Sequence, residues 1–128
     1  MTQSSYFDAM KYDQMIAEYG RPEAFETHIA KMPRDALFDL QNKRFMKVMA
    51  FAWQIPFYQR HWAAEGVKPE DITSLHDIAK LPPYSKGDLM KSVEAYPPIG
   101  DFHGLDTYSK DTRPPLIFQT TSGTTGRP

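Results

Sequence analysis

Proline divides this chain before any other residue type takes effect. Three Pro-Pro pairs fall at 82–83, 97–98 and 114–115. Such pairs mark irregular backbone, because a proline nitrogen has no hydrogen to donate. Residues 6–19 space Tyr6, Phe7, Met10, Met15, Ile16 and Tyr19 at loose helical intervals, and Gly20 ends the pattern. A short second helix is expected over 22–31. The clearest helix is predicted over 34–55, where Leu37, Leu40, Val48, Phe51 and Ile55 form one apolar stripe, broken at Arg44. Phe38, Phe45, Met49 and Ala52 form a second stripe beside it, so a broad buried face is expected. Gln41, Asn42, Lys43 and Lys47 take the wetter side.

Pro56 stops that helix and can open the next, over 57–65, with Gly66 placed for a C-terminal stop. Ser74-Leu-His-Asp77 and Ser85-Lys-Gly-Asp88 each have the form of a capping box, with Asp in place of Glu. Two short packing helices are expected after them. Residues 96–115 read as loop. Leu116-Ile-Phe-Gln-Thr-Thr121 then has strand composition and runs into a Gly/Thr-rich tract.

Composition excludes several classes of function. The 128 residues carry 15 Lys and Arg against 16 Asp and Glu, a net charge of -1, so nothing draws the chain generally to nucleic acid or an anionic membrane. Without cysteine there is no disulfide, thiolate metal site or cysteine nucleophile. The longest apolar run, Val48 to Trp53, cannot span a bilayer. The first residues lack a basic stretch followed by an apolar one, so a cytoplasmic chain is expected.

The chemistry sits in Thr121-Ser122-Gly123-Thr124-Thr125-Gly126-Arg127-Pro128. Two glycines permit positive φ and close backbone approach, so consecutive N–H groups can converge on one anion. Ser122, Thr124 and Thr125 add hydroxyls, and Arg127 adds a cation suited to phosphate oxygens. The residues alone fit either a phosphate cradle or a flexible polar tail. A Walker A loop is excluded by its missing lysine and spacing, and G-x-G-x-x-G is absent. Thr120 stands where a nucleophile elbow needs glycine.

The tract resembles the phosphate-binding loop of the adenylate-forming superfamily, whose signature is S/T-S-G-T-T-G, any residue, then Pro and Lys. The upstream chain resembles the phenylacetate-CoA ligase branch over about residues 36–128. The matching landmarks are Leu40-Gln41, Ile55-Pro-Phe-Tyr-Gln-Arg-His-Trp62, Gly66-Val-Lys-Pro-Glu-Asp-Ile72, Ser74-Leu-His-Asp-Ile-Ala-Lys-Leu-Pro82 and Ser85-Lys-Gly-Asp-Leu89. The resemblance implies a mostly α-helical N-terminal segment ending in a β-strand and phosphate loop, an incomplete piece of an α/β adenylate-forming large domain. Residues 1–35 would be a helical extension that matches nothing, and 36–128 the start of the AMP-binding domain. It further implies that Thr121, Ser122, Gly123, Thr124, Thr125 and Gly126 hold the β- and γ-phosphates of ATP, with Arg127 at a variable position. ATP with magnesium, coenzyme A and a small carboxylic acid such as phenylacetate would be the reactants. The sequence stops at Pro128, where the family continues with Lys. The catalytic lysine, adenine site and most of the acid pocket would lie beyond, so no catalytic residue is expected within the segment.

The remaining polar residues fit structural roles. His28, His61, His76 and His103 show no metal-ligand spacing. Asp77 and Asp88 suit helix starts. Lys43, Arg44 and Lys47 fit a solvated face. Surface aromatics could serve a homodimer. The rival reading is a non-catalytic helical interaction module, or gene remnant, with a flexible tail.

Overall fold

The computed structural model describes residues 6–117 and residue 119. Helices α1 (Tyr6–Ala9), α2 (Tyr12–Tyr19), α3 (Pro22–Thr27), α4 (Arg34–Ala52), α5 (Pro56–Ala64) and α6 (Lys86–Ala95) follow in order. Short 3₁₀ segments occupy Ile29–Lys31, Pro69–Asp71, Leu75–Lys80 and Leu105–Thr107. No strand occurs among the described residues.

Local chemistry accounts for most boundaries. Ile55 is extended (φ -90°, ψ 121°), as the residue before a proline must be. Pro56 then occupies the first position of α5, where its missing donor costs nothing. Gly66 follows α5 with φ 77°, a conformation that side chains rarely tolerate. Ser85 and Asp88 cap α6 reciprocally: the Ser85 N–H donates to Asp88 Oδ2 at 2.8 Å, and the Asp88 N–H to Ser85 Oγ at 3.3 Å.

Five expectations need correction. The helix expected over 34–55 ends at Ala52. The helix expected over 6–19 is split at Met10 and Lys11. The one expected over 22–31 ends at Thr27 and continues only as a 3₁₀ turn. The Ser74 box opens a six-residue 3₁₀ segment, Leu75–Lys80, rather than an α-helix. The first stripe is covered only in part: Ile55 is buried, as Met49 and Ala52 of the second stripe are, while Val48 is 62% exposed and Phe51 stays partly open to solvent.

The core forms where α4 meets α5. Met49, Ala52, Trp62 and Ile72 are its buried members, with Phe45, Trp53, Tyr58, Val67 and Leu81 packed against them. The Trp53 ring meets Trp62 edge-on at 4.7 Å, and Tyr58 stacks on Trp62 at 5.2 Å. Both geometries suit the aromatic quadrupole. The Leu75–Lys80 segment is fixed to α4 by Asn42 Oδ1, which accepts the Leu75 N–H at 2.7 Å, and by His76 stacked on Phe38 at 4.5 Å. Two basic residues of α4, Arg44 and Lys47, are engaged rather than simply solvated. Lys47 pairs with Glu18 at 2.6 Å, and Arg44 lies over the Tyr19 ring at 4.8 Å.

Residues 96–115, expected as loop, are held closely in their first half. Asp101 is buried, and Arg60 donates to both of its oxygens, at 2.6 and 3.0 Å. Ser92 Oγ donates to Asp101 Oδ1 at 2.8 Å and accepts the Asp101 N–H at 3.0 Å. Arg60 also covers the Tyr96 ring at 4.8 Å. Gly100 makes this approach feasible: at φ 77°, a Cβ there would lie 2.7 Å from Ser92 Oγ. A buried charge is tolerable only when paired and hydrogen-bonded in this way.

Two outcomes are expected. Trp62→Ala removes a buried ring and should cost about 3–5 kcal/mol, read as a fall in the urea midpoint. The Arg60 hydrogen bonds hold the Asp101 carboxyl below its ordinary range, opposed by burial and aided by Ser92. A lowered folded pKa gives stability that is full above the unfolded value of about 3.9 and lost as pH falls through the folded one. The urea midpoint of Asp101→Asn should therefore fall less steeply on acidification than that of the parent. The residual slope belongs to Asp77, Asp88 and Glu18, whose carboxyls are lowered too. Identical slopes would show that Asp101 carries none of the acid sensitivity.

Candidate functional site

The expected phosphate-loop residues, Thr121, Ser122, Gly123, Thr124, Thr125, Gly126 and Arg127, all lie outside the described residues. Of the strand expected over 116–121, only Leu116, Ile117 and Gln119 are described, and none of them is in a strand. The described chain shows how the backbone approaches that tract.

From the Asp101 clamp the chain turns at Gly104, whose φ is 70°. A Cβ at Gly104 would lie 3.0 Å from Ile55 Cδ1 and from the Phe51 ring, so this backbone sits directly against the end of α4. Leu105 is buried. Its N–H donates to His103 Nδ1 at 3.0 Å, and Thr107 Oγ1 donates to the Gly104 carbonyl at 2.7 Å. Arg113 reaches back to Asp106 at 3.3 Å, around a turn closed by the Thr112 N–H and the Ser109 carbonyl at 3.1 Å. Pro114 and Pro115 are half-buried, and Leu116 and Ile117 emerge exposed. The chain is thus anchored from Gly100 to Arg113 immediately before the Gly/Thr-rich tract.

A shallow cleft lies between α5 and α6, with Phe57, Arg60, His61, Asp88, Lys91 and Tyr96 among its lining residues. Its charges are already matched. Arg60 is bound to Asp101, and Lys91 stands 3.9 Å from Asp88. The Asp88 carboxyl is lowered first by the Ser85 side chain and then by the Ser85 N–H. Nearby, the Tyr58 and Tyr84 hydroxyls are 3.5 Å apart, and burial, ahead of this contact, pushes Tyr58 up to about 12. This is scaffold chemistry rather than a catalytic arrangement.

Three of the four histidines have identifiable structural engagements. His61 Nε2 lies 3.0 Å from the Pro83 carbonyl, which can only accept, so that nitrogen carries the proton. His76 stacks on Phe38, and His103 accepts the Leu105 N–H. No cluster of three or more potential metal ligands occurs among the described residues. Asp77 accepts the Thr73 and Ser74 N–H groups at 2.9 and 3.1 Å, the helix-start role that its position implies. Sequence reasoning missed the Arg60–Asp101–Ser92 clamp. Its only local signals are Arg60 within the Phe57-to-Trp62 landmark and Gly100 before Asp101.

No family model matches the chain. A phenylacetate-coenzyme A ligase from Aromatoleum evansii is 36% identical over 101 residues, which cover 78% of this chain and 21% of that enzyme. The Escherichia coli (strain K12) phenylacetate-coenzyme A ligase is 33% identical over 95 residues, 73% of this chain and 20% of that enzyme. Among solved structures, an open conformation of 2-hydroxyisobutyryl-CoA ligase in complex with 2-HIB-AMP and CoA superposes with a TM-score of 0.51 at 37% identity. That superposition covers 56% of this chain and 16% of that one. The chain thus spans about a fifth of the length of the relatives it matches. In sequence and in fold, this chain resembles the phenylacetate-CoA ligase branch of the adenylate-forming CoA ligases.

Proposed function

We propose that this chain is the N-terminal part of an ATP-dependent carboxylate–CoA ligase working in the cytoplasm. Residues 1–35 are its helical extension and residues 36–128 the start of its AMP-binding domain. The observation that carries this reading is the 33–36% identity to phenylacetate-CoA ligases over about three quarters of the chain, together with the Thr121-to-Gly126 tract.

In the proposed reaction a carboxylate oxygen attacks the α-phosphorus of ATP. The bond between the α-phosphorus and the bridging oxygen breaks, and pyrophosphate leaves. The CoA thiol, having lost its proton, then attacks the acyl carbonyl carbon, and AMP leaves with the mixed-anhydride oxygen. Magnesium accompanies ATP. The residues of this chain contribute to the first step. Backbone N–H groups of 121–126 and the hydroxyls of Ser122, Thr124 and Thr125 hold the β- and γ-phosphates, and Arg127 adds positive charge beside them. Such catalysis is positioning and charge stabilisation, without a covalent role for the loop. Phenylacetate is the first acid to test. The structural neighbour named for 2-hydroxyisobutyrate makes a short aliphatic hydroxy acid the second.

The test is acid-dependent ATP–pyrophosphate exchange by the full-length enzyme with both acids. Thr124→Ala and Gly123→Ala should each lower exchange by on the order of a hundredfold, the scale of a lost transition-state donor, while far-ultraviolet circular dichroism stays unchanged. Residues 1–128 alone should show no exchange, since they lack groups to orient the acid and the adenine. Full activity in both loop variants would remove the loop assignment, and exchange by residues 1–128 alone would remove the division of labour.

A further inference from the structure

Helix α2 is attached to the molecule in a different way from α4 to α6. Every residue from Lys11 to Glu23 is exposed, and α2 buries no side chain. Tyr12, Met15, Ile16 and Tyr19 all remain exposed, so apolar burial contributes little to docking. Two adjacent residues near the end of α2 instead meet two residues one turn apart on α4. Both oxygens of Glu18 lie 2.6 Å from Lys47 Nζ, and the Tyr19 ring lies under the Arg44 guanidinium at 4.8 Å. Glu18 lines a small groove on α4 with Leu40, Lys43, Arg44 and Lys47. The Lys47 and Glu18 side chains remain 64% and 38% exposed, within reach of screening ions.

We propose that residues 6–31 form an arm latched onto α4 by charge, which salt releases while the aromatic core of α4 and α5 stays folded. The latch is built from Glu18–Lys47 and Tyr19–Arg44, and the core from Met49, Ala52, Trp62 and Ile72. No buried contact of α2 couples the two, so the arm opens as its own unit. An eight-residue helix is too short to persist alone in water, so release and unwinding of α2 coincide. Opening leaves Arg44 and Lys47 without these partners beside Lys43, and a paired contact becomes an uncompensated basic stripe on α4.

Amide hydrogen exchange of the full chain tests this. Raising salt from about 0.01 M to about 1 M shrinks the Debye length from about 30 Å to about 3 Å. Peptides spanning residues 12–19 should exchange at least about threefold faster, the scale of an exposed ion pair, while peptides spanning 45–62 keep their rates. Lys47→Gln at low salt should reproduce the high-salt pattern. Lys43→Gln, which removes a cation outside both contacts, should leave 12–19 as protected as in the parent. The proposal is overturned if protection of 12–19 is the same at both salts, or absent at low salt. A joint change of 12–19 and 45–62 would overturn it as well.

Discussion

The buried carboxylate of Asp101 organises the second half of this structure. A charge removed from water must be compensated, and its partners come from two helices: the Arg60 guanidinium on α5 and the Ser92 hydroxyl on α6, which also accepts the Asp101 N–H. Because each partner sits on a different element, meeting the requirement fixes the relative position of two helices and the segment that follows them. Gly100 lets the backbone come close enough, and Gly104 then presses the chain against Phe51 and Ile55.

Two kinds of attachment therefore coexist in a short chain. The centre is held by rings and by a bidentate ion pair whose carboxylate is buried. The N-terminal helices rest on exposed charges that burial does not protect. Buried pairs lose much of their solvation and demand geometry, whereas exposed pairs lose little and demand less. The described residues thus grade from a rigid middle toward a loosely attached front.

Legibility in the sequence followed the range of the interaction. Pro56, Gly66 and the Ser85–Asp88 box act on backbone within a turn, and α5 and α6 start where these residues placed them, although α4 ends at Ala52, short of Pro56. The Ser74–Asp77 box was equally legible as a start signal, but it does not encode the type of helix that follows. Periodicity along α4 identified two stripes without saying which would be covered. Met49 and Ala52 met α5, whereas Val48 and Phe51 did not. Asp101 and Arg60 are 41 positions apart, so no local pattern could pair them. For the candidate site, the Thr121-to-Arg127 tract was readable as chemistry from its glycines and hydroxyls. The contacts of His103, Leu105 and Arg113 upstream of it depend on packing that composition does not encode.

The separation between Arg60 and Asp101 also has a consequence in time. The chain is made from its N-terminus, at roughly 5–20 residues per second. Arg60 therefore precedes its 41-residue-distant partner by roughly 2–8 s, long compared with the microseconds in which helices form. Throughout that interval α5 and then α6 exist without the carboxylate that sets their angle, and the aromatic cluster of Phe57, Tyr58 and Trp62 must gather on its own. Asp101 is a late keystone: it arrives after the helices that it braces.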